Sequence, residues 1–133
     1  MKIAQIGLIG LGVMGANLAR NIASRSIDIA VYNRSRERTE AFLAEHGNAH
    51  LFAEAYDIAG FVASIERPRK IIVMVPAGKP IDDVITELIP HLSVGDCIID
   101  CGNSHYRDTV RREAYIVGKG FRFMGCGVSG GEQ

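Results

Sequence analysis

The residues with the clearest potential for chemistry are three glycines near the amino terminus. Gly10, Gly12 and Gly15 match the pattern G-x-G-x-x-G between an apolar run and an amphipathic one. In a dinucleotide-binding loop the first glycine permits a tight turn, the second lets a pyrophosphate approach the backbone, and the third lets helix and strand pack closely. The free N–H groups and positive dipole of the helix then face the phosphates. The alternative is a glycine turn that binds nothing.

The end of the second predicted strand indicates which dinucleotide would bind. An NAD site usually has a carboxylate there, which accepts a hydrogen bond from the ribose 2′-hydroxyl. This chain has Asn33, followed by Arg34 and Ser35. A guanidinium beside a neutral amide suits a 2′-phosphate, which a carboxylate would repel. We therefore predict NADP rather than NAD, with Arg34 on the phosphate, and assign Arg36 and Arg38 to a solvated helix face.

A glycine-rich string near residue 129 could belong to a hydrolase or to a substrate site. Residues 127–131 satisfy G-x-S-x-G around Ser129. A hydrolase of that type needs an acid and then a histidine downstream of the serine, and no histidine follows Ser129 in this sequence. We instead expect Ser129, Gly130 and Gly131 to offer a hydroxyl and backbone N–H groups to an anionic substrate.

A third polar segment, residues 100–106, follows another predicted strand. Ligands of open parallel sheets bind beyond the carboxyl ends of the strands. Asn103 can both donate and accept a hydrogen bond, so it could contact cofactor and substrate together. Ser104 is better explained as a helix N-cap, and His105 as a surface residue of the first helical turn.

Composition excludes several classes of function. The chain has 133 residues, a formal net charge of zero, 47% hydrophobic and 23% charged residues, which fits one globular domain and not a basic nucleic-acid surface. Its three cysteines, Cys97, Cys101 and Cys126, form no metal-binding or C-x-x-C pattern, so we predict reduced thiols, no metal and a cytoplasmic protein. No run approaches the roughly 18 apolar residues of a membrane span.

Short apolar segments alternate with longer amphipathic ones along the whole chain. The predicted strands are Ile3–Ile9, Ile27–Tyr32, Lys70–Val75, Cys97–Asp100 and Phe121–Met124. The predicted helices are Met14–Ser26, Ser35–Glu45, Phe52–Ile65, Pro80–His91 and Ser104–Val117. This alternation predicts a Rossmann-like, doubly wound α/β fold, with helices on both faces of a mostly parallel sheet.

Six blocks of sequence, in order from end to end, resemble 6-phosphogluconate dehydrogenase. They are GLIGLGVMGANLA at 7–19, YNR at 32–34, GDCIID at 95–100, GNS at 102–104, DTVRR at 108–112 and GVSGGE at 127–132. The resemblance implies NADP-dependent oxidative decarboxylation of 6-phosphogluconate to ribulose 5-phosphate in the pentose phosphate pathway, by a homodimer. The implied cofactor contacts are Gly10, Leu11, Gly12, Val13, Met14, Gly15, Asn33, Arg34, Ser35, Val75, Pro76, Ala77 and Asn103. The implied substrate contacts are Asn103, Ser129, Gly130 and Gly131.

The resemblance also limits what this chain is expected to do. Pro76 replaces the usual lysine of the family, and Cys101 a usual glycine. The resemblance places the family's lysine base, its glutamate acid and its helical dimerisation domain beyond Gln133, the last residue of this sequence. We therefore expect residues 1–133 to be a truncated dinucleotide-binding domain with no catalytic residue and no turnover alone. The alternatives are a 3-hydroxyacid dehydrogenase of the 3-hydroxyisobutyrate type and a non-catalytic nucleotide-binding module.

Overall fold

A parallel sheet of six strands organises the part of the chain that the computed structural model describes, residues 3–34, 36–46, 52–53, 57–75, 78–101 and 106–125. The strands are β1 (Ile6–Ile9), β2 (Ile29–Tyr32), β3 (Phe52–Ala53), β4 (Lys70–Val73), β5 (Cys97–Asp100) and β6 (Arg122–Gly125). Their spatial order is β3-β2-β1-β4-β5-β6, and every neighbouring pair is parallel. The predicted doubly wound α/β fold is confirmed.

Helices cover both faces of this sheet. They are α1 (Val13–Ser24), α2 (Arg36–His46), α3 (Ile58–Ala63), α4 (Lys79–Leu88), which a 3₁₀ turn at Ile89–His91 continues, and α5 (Tyr106–Gly118). Among the described residues, none of these helices combines the length and the apolar character that crossing a membrane requires.

Alternate residues of β1, β2, β4 and β5 enter two separate apolar clusters. Leu8 and Val31 pack with α1 and with Phe42 of α2, whereas Ile9 and Ala30 pack with α3, α4 and α5. Side chains alternate between the two faces of a strand, so both faces of β1 and β2 must be apolar. This explains why these strands are continuous apolar runs in the sequence.

The strand order places a reversal of winding between β1 and β4. From β1 the chain winds through β2 to the edge strand β3, then crosses to β4 and winds the other way. At such a reversal the loops after the two central strands diverge and leave a crevice at the carboxyl ends. The loop after β1 contains Gly10 and Gly12, and the loop after β4 begins at Met74.

The prediction of one helix over Phe52–Ile65 is wrong at both ends. Phe52–Ala53 is strand β3, paired with Ile29 and Ala30 of β2. The helix begins only after Asp57, whose Oδ1 accepts a hydrogen bond of 2.6 Å from the N–H of Gly60. Ile65 has left the helix and forms a β-bridge with Ala4. Asp57 is an N-cap residue and marks the start of the helix, but the prediction followed the apolar periodicity instead.

The remaining differences are shifts of element ends. β1 and β2 begin later than predicted, at Ile6 and Ile29, and β4 ends earlier, at Val73. The helix predicted over Pro80–His91 ends at Leu88, and its last residues form the 3₁₀ turn that contains Pro90, which has no N–H to continue an α-helix. Ser104, the predicted N-cap of α5, lies outside the described residues.

A buried ion pair joins the loops at the amino ends of β4 and β5. The side chains of Arg69 and Asp96 are 8% and 1% exposed, and Arg69 Nη1 lies 3.0 Å from Asp96 Oδ2. Arg69 Nε also donates to the carbonyl of Val62, at 2.8 Å. The Asp96 carboxylate accepts from the backbone N–H groups of Arg69 and Ser93, each at 2.8 Å. Both buried charges are therefore paired and hydrogen-bonded, as their burial requires.

Asp96→Ala is expected to lower the free energy of unfolding by about 3–5 kcal/mol, because it leaves the Arg69 guanidinium buried without its counter-charge. Urea denaturation followed by circular dichroism measures the change. The matched control is Asp83→Ala, which breaks the exposed pair of Asp83 with Lys79 on α4 and should cost less than about 1 kcal/mol. Equal losses in the two variants would contradict the structural role assigned to Asp96.

Candidate functional site

The three glycines of the loop after β1 have different physical roles. Gly10 has a φ of +103°, and a Cβ there would overlap the carbonyl oxygen of Met74, the residue after β4. A Cβ on Gly15 would overlap the carbonyl oxygen of Gly10. A Cβ on Gly12 would meet no atom of the described residues within 4 Å. The fold itself therefore requires Gly10 and Gly15, whereas the absence of a side chain at Gly12 leaves an open approach to the backbone.

The amino end of α1 presents unpaired backbone donors to this open space. Gly12 is its N-cap, no side-chain cap is found among the described residues, and no acidic residue lies in the first turn. The first N–H groups of an α-helix have no partner within the helix. With the positive end of the helix dipole, they form a binding site for the oxygens of an anion.

Asn33 connects the end of β2 to the glycine loop. Its Oδ1 accepts a hydrogen bond of 2.8 Å from the backbone N–H of Leu11. The loop is further held by the N–H of Gly10, which donates to the carbonyl of Tyr32 at 3.0 Å.

Arg34 is the residue after Asn33, and its side chain is largely exposed. Its side chain is 66% exposed, and Nη2 lies 3.5 Å from Oε2 of Glu87 on α4. An exposed pair at this distance holds the guanidinium weakly. Arg34 can therefore turn toward an anion that binds beside Asn33.

Asn33, Arg34 and Glu87 border a pocket of about 200 Å³ between the ends of β1 and β2 and helix α4. Its full lining is Ile9, Tyr32, Asn33, Arg34, Val75, Pro80, Val84 and Glu87. Complete ligand sites usually measure roughly 300–1,000 Å³, so this pocket suits one ring system of a larger ligand. Apolar walls with charged groups at the edge match a flat heterocycle that carries a polar substituent.

Tyr32 lines the pocket and packs against the α3 side of the core. Its ring lies 5.9 Å from the ring of Phe61, centre to centre. Burial, and then the carboxylates of Glu87 and Asp57, raise the pKa of the Tyr32 hydroxyl, against the opposing effect of Arg34. The hydroxyl therefore remains protonated at neutral pH and can donate a hydrogen bond.

A second charged cluster fixes the start of α4. The Arg112 side chain is 2% exposed, and its Nε donates to Asp82 Oδ1 at 2.7 Å. Its Nη2 donates to the carbonyl of Gly78 at 3.3 Å. The hydrogen bond from Arg112 is the main reason why the pKa of the Asp82 carboxyl lies below its usual value. This cluster holds the end of the loop that joins β4 to α4.

The structure brings together several of the predicted site residues. Asn33, Arg34 and Val75 line one pocket, and the hydrogen bond from Leu11 to Asn33 joins that pocket to the glycine loop. Met14 is exposed on α1, and the side chain of Val13 is not among those described. The predicted residues that lie outside the described residues are Ser35, Pro76, Ala77, Asn103, Ser129, Gly130 and Gly131.

The prediction that residues 1–133 hold no catalytic residue is not tested by this geometry. It depends on the resemblance, which places the family's base and acid beyond Gln133. Gln133 itself lies outside the described residues, which end at Gly125. The absence of a catalytic base and acid up to Gln133 therefore stays a prediction, and activity measurements must test it.

Sequence reasoning missed the contribution of α4 to this pocket. Pro80, Val84 and Glu87 are spaced i, i+4, i+7, which places them on one face of the helix. That spacing was visible in the sequence, but it is the same spacing that any helix uses to pack on a core.

Cys101, the second predicted departure from the family, packs in the buried cluster under α1, so its bulk is accommodated in the core.

No metal centre is formed within the described ranges, in which no group of three or more His, Cys, Asp or Glu side chains comes together.

The parallel sheet has the strand order 3-2-1-4-5-6, and the glycine loop leads into a helix without a side-chain cap. Together these features define a dinucleotide-binding domain.

The family within that class is given by comparison with known proteins. Residues 5–133 match the family model of the NAD-binding domain of 6-phosphogluconate dehydrogenase, and the chain belongs to this family. It is 52% identical over 133 residues to the decarboxylating 6-phosphogluconate dehydrogenase of Synechococcus elongatus. It is 50% identical to the NADP(+)-dependent, decarboxylating enzyme of Bacillus subtilis. All of this chain is covered in both alignments, but it spans only 28% of the length of each relative.

Solved structures agree with this assignment. The 6-phosphogluconate dehydrogenase of Plasmodium falciparum, studied in its apo form, with its cofactor NADP+ and with its substrate 6-phosphogluconate, has a TM-score of 0.87 and 39% identity. The alignment covers 96% of this chain and 28% of that one. The 3-hydroxyisobutyrate dehydrogenase of Mycobacterium tuberculosis has a TM-score of 0.81 at 21% identity, covers 98% of this chain and 42% of its own, and shows the shared fold.

Alanine substitutions at Gly12 and at Gly15 are expected to change the stability of the protein by different amounts. Gly12→Ala should change the free energy of unfolding by less than about 1 kcal/mol, because φ is −69° and no described atom lies near the new methyl group. Gly15→Ala should cost about 3 kcal/mol or more, because the methyl group overlaps a backbone carbonyl of the core loop. Thermal denaturation of both variants measures the difference, and similar melting temperatures would contradict it.

Proposed function

We propose that this chain binds NADP as the cofactor domain of a decarboxylating 6-phosphogluconate dehydrogenase. One observation carries the proposal: Asn33 holds the glycine loop through Leu11 while Arg34, the next residue, borders a pocket of adenine size. The position that carries a carboxylate in NAD-binding proteins here carries a neutral amide beside a guanidinium. The names of relatives at 50–52% identity support the same activity.

The described residues fit NADP. The space above Gly12 and the unpaired N–H groups of α1 would accept the diphosphate. The apolar walls formed by Ile9, Val75 and Val84 would bury the adenine, and Arg34 would bind the 2′-phosphate. The neighbouring predicted contacts, Ser35, Pro76 and Ala77, would complete this side of the site.

When bound, NADP would accept a hydride at its nicotinamide from 6-phosphogluconate, and loss of carbon dioxide would lead to ribulose 5-phosphate. Asn103 would orient both nicotinamide and substrate, and Ser129, Gly130 and Gly131 would hold the substrate. The homodimer of the family and a cytoplasmic location remain predictions. No feature of the described residues favours the 3-hydroxyisobutyrate alternative over this proposal.

The nucleotide assignment is tested by Arg34→Gln, with Arg38→Gln on α2 as the matched loss of charge. Arg34→Gln should weaken NADP binding at least about tenfold, because a charge-assisted hydrogen bond to the 2′-phosphate contributes about 1.5–3 kcal/mol. NAD binding should change less than about twofold. Calorimetric titration of both variants with both dinucleotides provides the measurement. Equal losses for NADP and NAD, or an equal effect of Arg38→Gln, would remove Arg34 from this role.

An activity measurement tests whether residues 1–133 alone can catalyse the proposed reaction. The 133-residue chain, mixed with NADP and 6-phosphogluconate, should produce no NADPH, because the proposal assigns no general base or acid to the residues up to Gln133. Absorbance at the NADPH band, followed over several hours, measures the NADPH produced. Sustained turnover would show that the chain carries catalytic residues of its own.

A further inference from the structure

Glu87 is the one acidic side chain among the described residues that line the pocket beside Arg34. Resting on the proposed function, we propose that Glu87 is a specificity-determining residue that weakens the preference of this site for NADP over NAD. It does so by pairing with the Arg34 guanidinium when no nucleotide is bound and by repelling the 2′-phosphate when NADP is bound.

The geometry makes Glu87 and a 2′-phosphate competitors for the same cation. Oε2 of Glu87 lies 3.5 Å from Nη2 of Arg34, across 53 positions of sequence. The fold creates this pair, since α4 and the residues at the end of β2 line the same pocket. A phosphate that takes the guanidinium must either displace the carboxylate or share the cation with it.

Electrostatics disfavours NADP in both cases. A phosphate monoester carries about −1.5 to −2 charges at neutral pH, so a carboxylate a few ångströms away opposes it. NAD has a hydroxyl at the same place and meets no such repulsion. Glu87 and Arg34 are 49% and 66% exposed, so water screens the interaction and limits it to a moderate effect.

The charge of Glu87 affects Tyr32, another residue of the pocket lining, as well as Arg34. After burial, it is the largest contribution to the raised pKa of the Tyr32 hydroxyl. Tyr32 lines the same pocket, so the carboxylate acts on a group that would border the proposed adenosine. This supports an effect on bound nucleotide that does not need a direct contact.

Glu87→Gln is the decisive variant, because it removes the negative charge and preserves the size of the side chain and one acceptor oxygen. Glu113→Gln is the matched control, since Glu113 is exposed on α5 and is not part of the pocket lining. The 133-residue chain and both variants are titrated calorimetrically with NADP and with NAD, at low salt and at about 1 M salt, where the Debye length is about 3 Å.

We expect Glu87→Gln to tighten NADP binding by about three- to tenfold at low salt and to change NAD binding by less than about twofold. The gain should shrink at high salt, which a purely structural effect would not do. Glu113→Gln should leave both affinities within about twofold of the original chain.

Other outcomes separate this inference from the function on which it rests. If the original chain prefers NADP and Glu87→Gln leaves that preference unchanged or reduces it, Glu87 does not oppose the 2′-phosphate and the inference alone is overturned. If Glu113→Gln gives the same gain, the effect is one of net charge and the inference is again overturned. If the original chain binds neither dinucleotide, the proposed function fails, and the inference fails with it.

Discussion

The hydrogen bond between the N–H of Leu11 and Oδ1 of Asn33 is the interaction on which the candidate site depends. At 2.8 Å it joins the turn after β1 to the residue after β2. An aspartate could accept the same hydrogen bond, but it would add a negative charge beside Arg34. The amide therefore holds the loop without adding a charge that would repel a phosphate, as the role proposed for Arg34 requires.

Buried arginines secure loops at the amino edge of the sheet, where the strands begin, and at its carboxyl edge, where they end. At the amino edge, Arg69 and Asp96 satisfy each other and the surrounding backbone, which secures the loops before β4 and β5. At the carboxyl edge, Arg112 pairs with Asp82 and with the carbonyl of Gly78, which secures the loop that approaches the pocket. The exposed pair of Arg34 and Glu87 is different, because neither group is buried enough to require the other. The pair can therefore open when another charged group approaches Arg34.

The sequence was sufficient for the parts of the fold that depend on local pattern. Apolar strands such as Cys97–Asp100 were predicted with their observed ends, and the glycine motif identified the loop after β1. The short strand β3 could not be predicted, because Phe52 and Ala53 form a strand only through pairing with Ile29 and Ala30. The pocket also escaped prediction in part, since it requires α4 to lie opposite the end of β2. Local periodicity says that Val84 is on an apolar face, but not which cavity that face borders.

The glycine motif illustrates why a pattern match and a binding site are different statements. Gly10 and Gly15 are required by contacts within the protein, with the carbonyl oxygens of Met74 and Gly10. A strand–turn–helix unit that bound no nucleotide would need them equally. Gly12 has no such neighbour among the described residues, and its backbone angle is open to any residue, so the fold gives no reason for a glycine there. The proposed binding of a diphosphate would give a reason, because a side chain at Gly12 would stand in the approach to the backbone. Gly12 is therefore the member of the motif that bears most directly on the proposal.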